Sequence, residues 1–133
     1  MTDRWGNTTT GKAESITAWD HAWEEFLHFH GDPMTTLAKA NENDDSFVLG
    51  PVLCALYNVL AGSPLGSTLV QDDHARAEAR AATDRDRAHA DALGLAAAGN
   101  FTAAATGWAD LAAEGDFAAY HFAHDVYLHI GDT

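Results

Sequence analysis

The chain has 133 residues, of which 47% are hydrophobic, enough for one domain with a buried core. Twenty Asp and Glu residues against seven Lys and Arg give a formal net charge of −13, which argues against nucleic-acid and anionic-membrane surfaces. A single cysteine, Cys54, excludes an internal disulfide. Since no leader-like or membrane-spanning run is present, a cytoplasmic location is expected.

The first half of the chain predicts an arm and three helices. Residues 1–14 are polar and rich in glycine and threonine, which is typical of an extended N-terminal arm. Apolar residues recur at helical spacing over residues 15–30. Gly31-Asp32-Pro33 ends this helix and begins a second one over residues 33–43. Residues 47–61 are the most apolar segment, and they are too short to cross a bilayer, so they predict a central buried helix.

The second half predicts four more helices, over residues 67–82, 83–98, 101–113 and 117–130. The sequence has no alternating strand pattern, so the predicted fold class is all-α with about seven helices. Aromatic side chains are expected to supply most of the buried area, because the alanines bury little each. The expected core aromatics are Trp19, Trp23, Phe26, Phe101, Trp108, Phe117 and Tyr120.

A helix–turn–helix unit is most distinct around Gly99-Asn100, and its turn recurs at Gly131-Asp132. Because a helix pair cannot bury its apolar face without a neighbour, these turns predict stacked helical hairpins over residues 15–133. About three and a half repeats fit this length. The contacts between paired helices are predicted to be made by small or large apolar residues, namely Ala92, Leu95, Phe101, Ala104, Trp108 and Leu111.

The turns and spacings resemble the tetratricopeptide repeat. The chain is further similar to the tetratricopeptide repeat protein 38 family in four segments, at residues 3–7, 45–50, 98–101 and 122–127. The resemblance implies a tetratricopeptide-like superhelix that serves as an interaction scaffold. It implies no catalytic residue and no cofactor.

In such a superhelix the first helix of each hairpin lines a concave groove. The predicted groove is acidic and histidine-bearing at both ends, with an apolar middle formed by Leu49, Val52, Leu56, Val59 and Leu60. Such a surface suits a basic or amphipathic protein or peptide segment. The residues expected to bind this partner are Asp20, Glu24, His28, Asp86, His89, His121, Asp125, Leu128 and His129.

The last predicted helix carries apolar residues in all directions, so part of its apolar surface should face water. The sequence ends near Gly131, where a hairpin mate would begin. Self-association, coverage by another polypeptide or a fragment of a longer chain would each explain this. Of these we expect a homo-oligomer that forms through the C-terminal helix, because closed pairs are the commonest assemblies. The predicted function is a non-enzymatic scaffold that binds protein or peptide segments.

A metal- or small-molecule-binding enzyme domain is the alternative, as is a small subunit of a larger enzyme. His121, Asp125 and His129 are spaced four apart on one helix, and with His89 they form a ligand set of the kind zinc accepts. No established zinc motif accompanies them.

A second cluster, His21, Glu25 and His28, lies opposite the first helix's apolar stripe and should be solvated.

Eight histidines in so acidic a chain also predict that binding or assembly changes between about pH 5 and 7.5.

Overall fold

The structure is a computed structural model, and it describes residues 1–131. Over these residues it is all-α, with seven helices and no strand, which confirms the predicted fold class. None of these helices combines the length and the apolar character that a membrane crossing needs. The helices are α1 (Ala13–Leu27), α2 (Pro33–Asn43), α3 (Leu49–Leu60), α4 (Thr68–Arg80), α5 (Asp84–Ala97), α6 (Phe101–Ala113) and α7 (Phe117–His129).

Side-chain caps fix three of the helix starts. Asp32 accepts hydrogen bonds from the backbone amides of Met34 and Thr35 at the start of α2. At α5, Thr83 and Asp86 form a reciprocal capping box. Asp116 caps α7. These caps satisfy backbone amides that have no partner within the helix. Each of the three helices therefore begins next to a capping side chain.

Consecutive helices pack as hairpins, with α1 on α2, α3 on α4 and α5 on α6. The seventh helix packs along α6 and also reaches α3. Ala104 and Trp108, which were predicted to make helix contacts of α6, are both fully buried. Asp132 of the predicted second turn lies outside the described residues, and Gly131 has a positive φ of 76°.

The predicted open groove, which α7 was expected to line, is closed at its apolar middle by a side chain of α7. Phe122 is fully buried, and its ring lies 5.9 Å from Trp23, 6.0 Å from Tyr57 and 5.4 Å from Trp108. It thereby joins α1, α3 and α6. The predicted apolar middle of the groove is core instead, since Leu49, Val52, Leu56 and Val59 are buried. Closing the array over bulky aromatic rings removes more apolar area from water than an open groove does.

Most of the expected core aromatics are in place. Trp19, Trp23 and Trp108 are fully buried, and three phenylalanines pack beside them, partly covered, at positions 26, 101 and 117. Tyr120 is the exception, because 60% of it is exposed. The prediction was wrong there because α7 turns that side chain away from the core.

The N-terminal arm is docked onto the helices. The side chain of Asn7 donates to the carbonyl of Gly115 at 3.0 Å and accepts from the amide of Phe117 at 3.1 Å. Trp5 stacks on Phe117, with 4.1 Å between ring centroids. Arg85 donates to the arm backbone. The arm therefore connects the start of α1 to the start of α7, and α1 itself begins at residue 13, two residues earlier than predicted.

Candidate functional site

The end of α1 has an uncommon local conformation. The amide of His30 donates to the carbonyl of Glu25 at 3.1 Å, and the amide of Phe29 donates to the carbonyl of Phe26 at 3.4 Å. This pair of bonds is the Schellman motif, which places the residue after the C-cap in the left-handed region. That residue is Phe29, with a φ of 54°. The helix thus ends at Leu27 rather than near His30 as predicted.

Every comparable helix end in the described chain uses glycine at this position. The residues that follow the C-caps of α3, α5, α6 and α7 all have positive φ, and they are Gly62, Gly99, Gly115 and Gly131. Within residues 1–131, Phe29 is the one non-glycine residue with positive φ. The left-handed conformation costs an L-residue about 1–2 kcal/mol, because its Cβ crowds the following carbonyl.

Core packing does not compensate for this cost. Phe29 is 96% exposed, so its ring makes almost no contact with the rest of the protein. An aromatic ring in water gains nothing from burial, and glycine would remove the backbone strain. Neither local conformation nor folding therefore favours phenylalanine at this position.

The loop that carries Phe29 is held in place by Glu25. This side chain is buried, and its carboxylate accepts from the amide of Asp32 at 2.8 Å and from the hydroxyl of Thr36. The bond from Thr36 contributes most to lowering the pKa of Glu25. A Cβ at Gly31 would overlap this carboxylate. The expectation that Glu25 is solvated was wrong, because the loop after α1 folds back over it.

A shallow cleft of about 260 Å³ separates the end of α1 from α7. Its lining residues are Phe26, Leu27, Phe29, Tyr120, His121, His124 and Asp125. Tyr120, His124 and Leu128 follow each other at helical spacing along the outward side of α7, and all three are exposed. We call the exposed apolar and histidine face the α1–α7 surface, defined as Leu27, Phe29, Tyr120, His121, His124 and Leu128.

One polar pair beneath this surface is already satisfied, and one histidine of the surface is partly buried. The hydroxyl of Tyr57 donates to Asp125, and burial raises the pKa of Tyr57, so the phenol stays protonated. His121 lies 5.2 Å from Trp23 and 4.7 Å from Phe117, measured between ring centroids. Burial lowers the pKa of His121, which favours the neutral imidazole. The chemistry of the face is therefore mainly apolar at neutral pH.

Charge at the edge of the α1–α7 surface is negative. Neither lysine nor arginine lines the cleft. Glu24 and Asp32 are exposed on either side of Phe29 in the chain. Arg4 lies 3.7 Å from Glu24, so this cation is already paired with a carboxylate of the edge. A ligand for this face would meet apolar side chains in the centre and carboxylates at the edge.

Asp86 and His89 were predicted to line the groove, but both are buried in the structure. Asp86 accepts from the hydroxyl of Thr10 at 2.8 Å and caps its own helix. His89 accepts at Nδ1 from the indole N–H of Trp108 at 3.0 Å, so its Nε2 carries the proton and donates to Asp116 at 2.8 Å. Both side chains therefore support the fold.

The other predicted partner-binding residues have more varied positions. On α1, Asp20 accepts from the backbone amide of Arg4 at 3.1 Å, while Glu24 and His28 are exposed. His121 and Leu128 belong to the α1–α7 surface, and Asp125 lies in the cleft beside them. His129 packs against Phe101 of α6, with 5.0 Å between ring centroids.

The alternative metal ligands, His89, His121, Asp125 and His129, are each engaged by a different neighbour. Both nitrogens of His89 have partners, and the carboxylate of Asp125 binds Tyr57. Across residues 1–131, no group of three or more His, Cys, Asp or Glu side chains is arranged to hold a metal ion. The lone Cys54 is buried, and burial raises its pKa to about 12, so it is not a reactive thiolate.

No protein-family model, curated protein or solved structure matches the chain. The functional argument therefore depends on the residues and contacts described above.

Proposed function

We propose that this protein is a non-catalytic binding domain that holds an amphipathic segment of another protein on the α1–α7 surface. The observation that carries the proposal is Phe29, which is both exposed and held in a conformation that favours glycine. A side chain that weakens the fold without packing in it is explained by a contact made outside the chain.

The chemistry of the surface defines the partner. Phe29 and Tyr120 are large exposed rings, and aromatic residues are the commonest energetic centres of interfaces. The chain carries a net charge of −13, and exposed carboxylates flank the surface. A partner segment with leucine-like residues on one face and Lys or Arg at its sides would satisfy both features. A helix is the simplest form of such a segment.

We also propose kinship with tetratricopeptide repeats. Hairpin packing supports it, as do the glycine turns after α3, α5 and α6 and the burial of Ala104. In this proposal the ligand binds outside the array, at the junction of its first and last helices, because residues predicted to line the inner groove, such as Leu56, Asp86 and His89, are buried.

A labelled amphipathic peptide of leucine and lysine tests the proposal by fluorescence anisotropy. Replacing an aromatic centre of an interface costs about 2 kcal/mol, so Phe29→Gly should weaken binding roughly 30-fold. Leu69→Ala is the matched control, because Leu69 is a 59% exposed apolar residue on α4. It should leave the affinity unchanged.

A second peptide of leucine and glutamate provides the charge control, and it should bind much more weakly. Equal affinity of the wild type and Phe29→Gly for the leucine–lysine peptide would contradict the proposed site. Equal affinity of the wild type for the two peptides would contradict the proposed partner chemistry.

A further inference from the structure

We infer that, in the absence of a partner protein, two copies of this chain pair through their α1–α7 surfaces. This inference rests on the proposed function, which identifies the α1–α7 surface as a binding site. It adds a second copy of the chain as another ligand of that surface. The free protein would then shield its aromatic face from water, and a partner segment would have to displace the second copy.

The shape of the surface is self-complementary. Phe29 projects almost fully into solvent, and the cleft between α1 and α7 lies directly beside it. Under two-fold symmetry, the projecting ring of one copy enters the cleft of the other, and the reverse contact forms at the same time. The cleft of about 260 Å³ has room for one aromatic ring, and its walls include the exposed Tyr120.

The available area predicts a weak pair. A fully exposed aromatic side chain contributes about 150–250 Å², so Phe29 and the 60% exposed Tyr120 supply roughly 300 Å². The 55% exposed Leu128 and the partly exposed Leu27 bring this to about 450 Å² for each copy. Two copies bury roughly 900 Å², close to the lower limit of about 1,000 Å² for specific interfaces. We expect a dissociation constant of tens of micromolar or weaker.

Salt should change the affinity of self-pairing and the affinity for a basic partner in opposite directions. Two copies with a charge of −13 each repel one another, and added salt screens that repulsion. Inside the interface the charges are few, because no lysine or arginine lines the cleft and Asp125 is the one carboxylate there, bonded to Tyr57 and His124. Self-pairing should therefore become tighter as salt rises, whereas the leucine–lysine peptide should bind more weakly.

Sedimentation velocity over a range of protein concentrations tests the inference. The wild type and the Leu69→Ala control should show the same reversible shift from monomer to dimer. Phe29→Gly should raise the dissociation constant at least tenfold, and the dimer of the wild type should tighten at higher salt. A wild type that stays monomeric up to millimolar concentration would overturn the inference, as would a dimer that Phe29→Gly leaves unchanged.

The peptide measurement distinguishes failure of this inference from failure of the proposed function. A monomeric wild type that still binds the leucine–lysine peptide through Phe29 refutes self-pairing alone. A dimer that depends on Phe29 in a protein that binds neither peptide supports self-pairing and refutes the proposed partner. Where both hold, adding the peptide should convert the dimer to a monomer–peptide complex.

Discussion

Replacing Phe29 with glycine should stabilise the protein. Phe29 has a φ of 54° and is 96% exposed, so the substitution relieves backbone strain and removes almost no packing. Most substitutions of a large apolar residue destabilise a protein, so a gain in the free energy of unfolding would be unusual. Binding and stability would then change in opposite directions in one variant.

The expected gain is about 0.5–1 kcal/mol. Glycine adopts the left-handed region without the cost of about 1–2 kcal/mol that an L-residue has there. Glycine also makes the unfolded chain more flexible, which costs about 0.4–1 kcal/mol. For a chain of 133 residues, the difference raises the melting temperature by roughly 2–4 °C.

Urea unfolding followed by circular dichroism measures the change. The midpoint should rise while the slope with urea stays the same, because the buried area is unaltered. Gly62→Ala is the matched reverse control. Gly62 follows α3 with a φ of 98°, and a Cβ there would meet nothing within 4 Å, so the variant should lose about 1 kcal/mol.

A loss of stability in Phe29→Gly would refute this reasoning. It would mean that the Phe29 ring stabilises the fold, and the argument that phenylalanine is present for an external contact would fail with it.

Two further predictions concern the buried carboxylates. Gly31→Ala should destabilise by about 2–3 kcal/mol in urea unfolding, since its Cβ would displace Glu25 and its φ of 68° is left-handed; a neutral result would contradict the proposed support of the loop. Asp116→Asn should cost about 3 kcal/mol at pH 7, because it removes the negative charge and one of the two oxygens that accept from Arg85 and His89. Burial alone would raise the pKa of Asp116, but hydrogen bonds from these partners outweigh burial and lower it. Because the folded pKa lies below the unfolded one, this stabilisation is present above about pH 4 and is lost as the pH falls further, so the variant and the wild type should converge in acid.

The helix boundaries were predictable where local chemistry defines them. The predicted bounds of α2 and α6 agree with the structure, because Asp32-Pro33 and Gly99-Asn100 act on adjacent residues. The exposed apolar side of α7 followed from the distribution of its apolar residues. The sequence pattern was therefore sufficient for features that depend on neighbours within a few positions.

Features that depend on distant contacts were not predictable from the pattern. His89 was assigned to an open groove because its partners, Trp108 and Asp116, are 19 and 27 residues away. The burial of Phe122 among rings of α1, α3 and α6 depends on how the hairpins pack, which spacing does not specify. Phe29 was missed because a Schellman end without glycine leaves no compositional signal, and the apolar stripe of α1 appeared to continue to His30.

Amide chemical-shift mapping by NMR tests the central claim most directly, because it locates the bound segment on the chain. With the leucine–lysine peptide added to labelled wild-type protein, the account predicts the largest shifts at residues 26–30 and 120–128. In Phe29→Gly these shifts should largely disappear at the same peptide concentration. Shifts centred on α4, or spread evenly over the acidic surface in both proteins, would contradict the account.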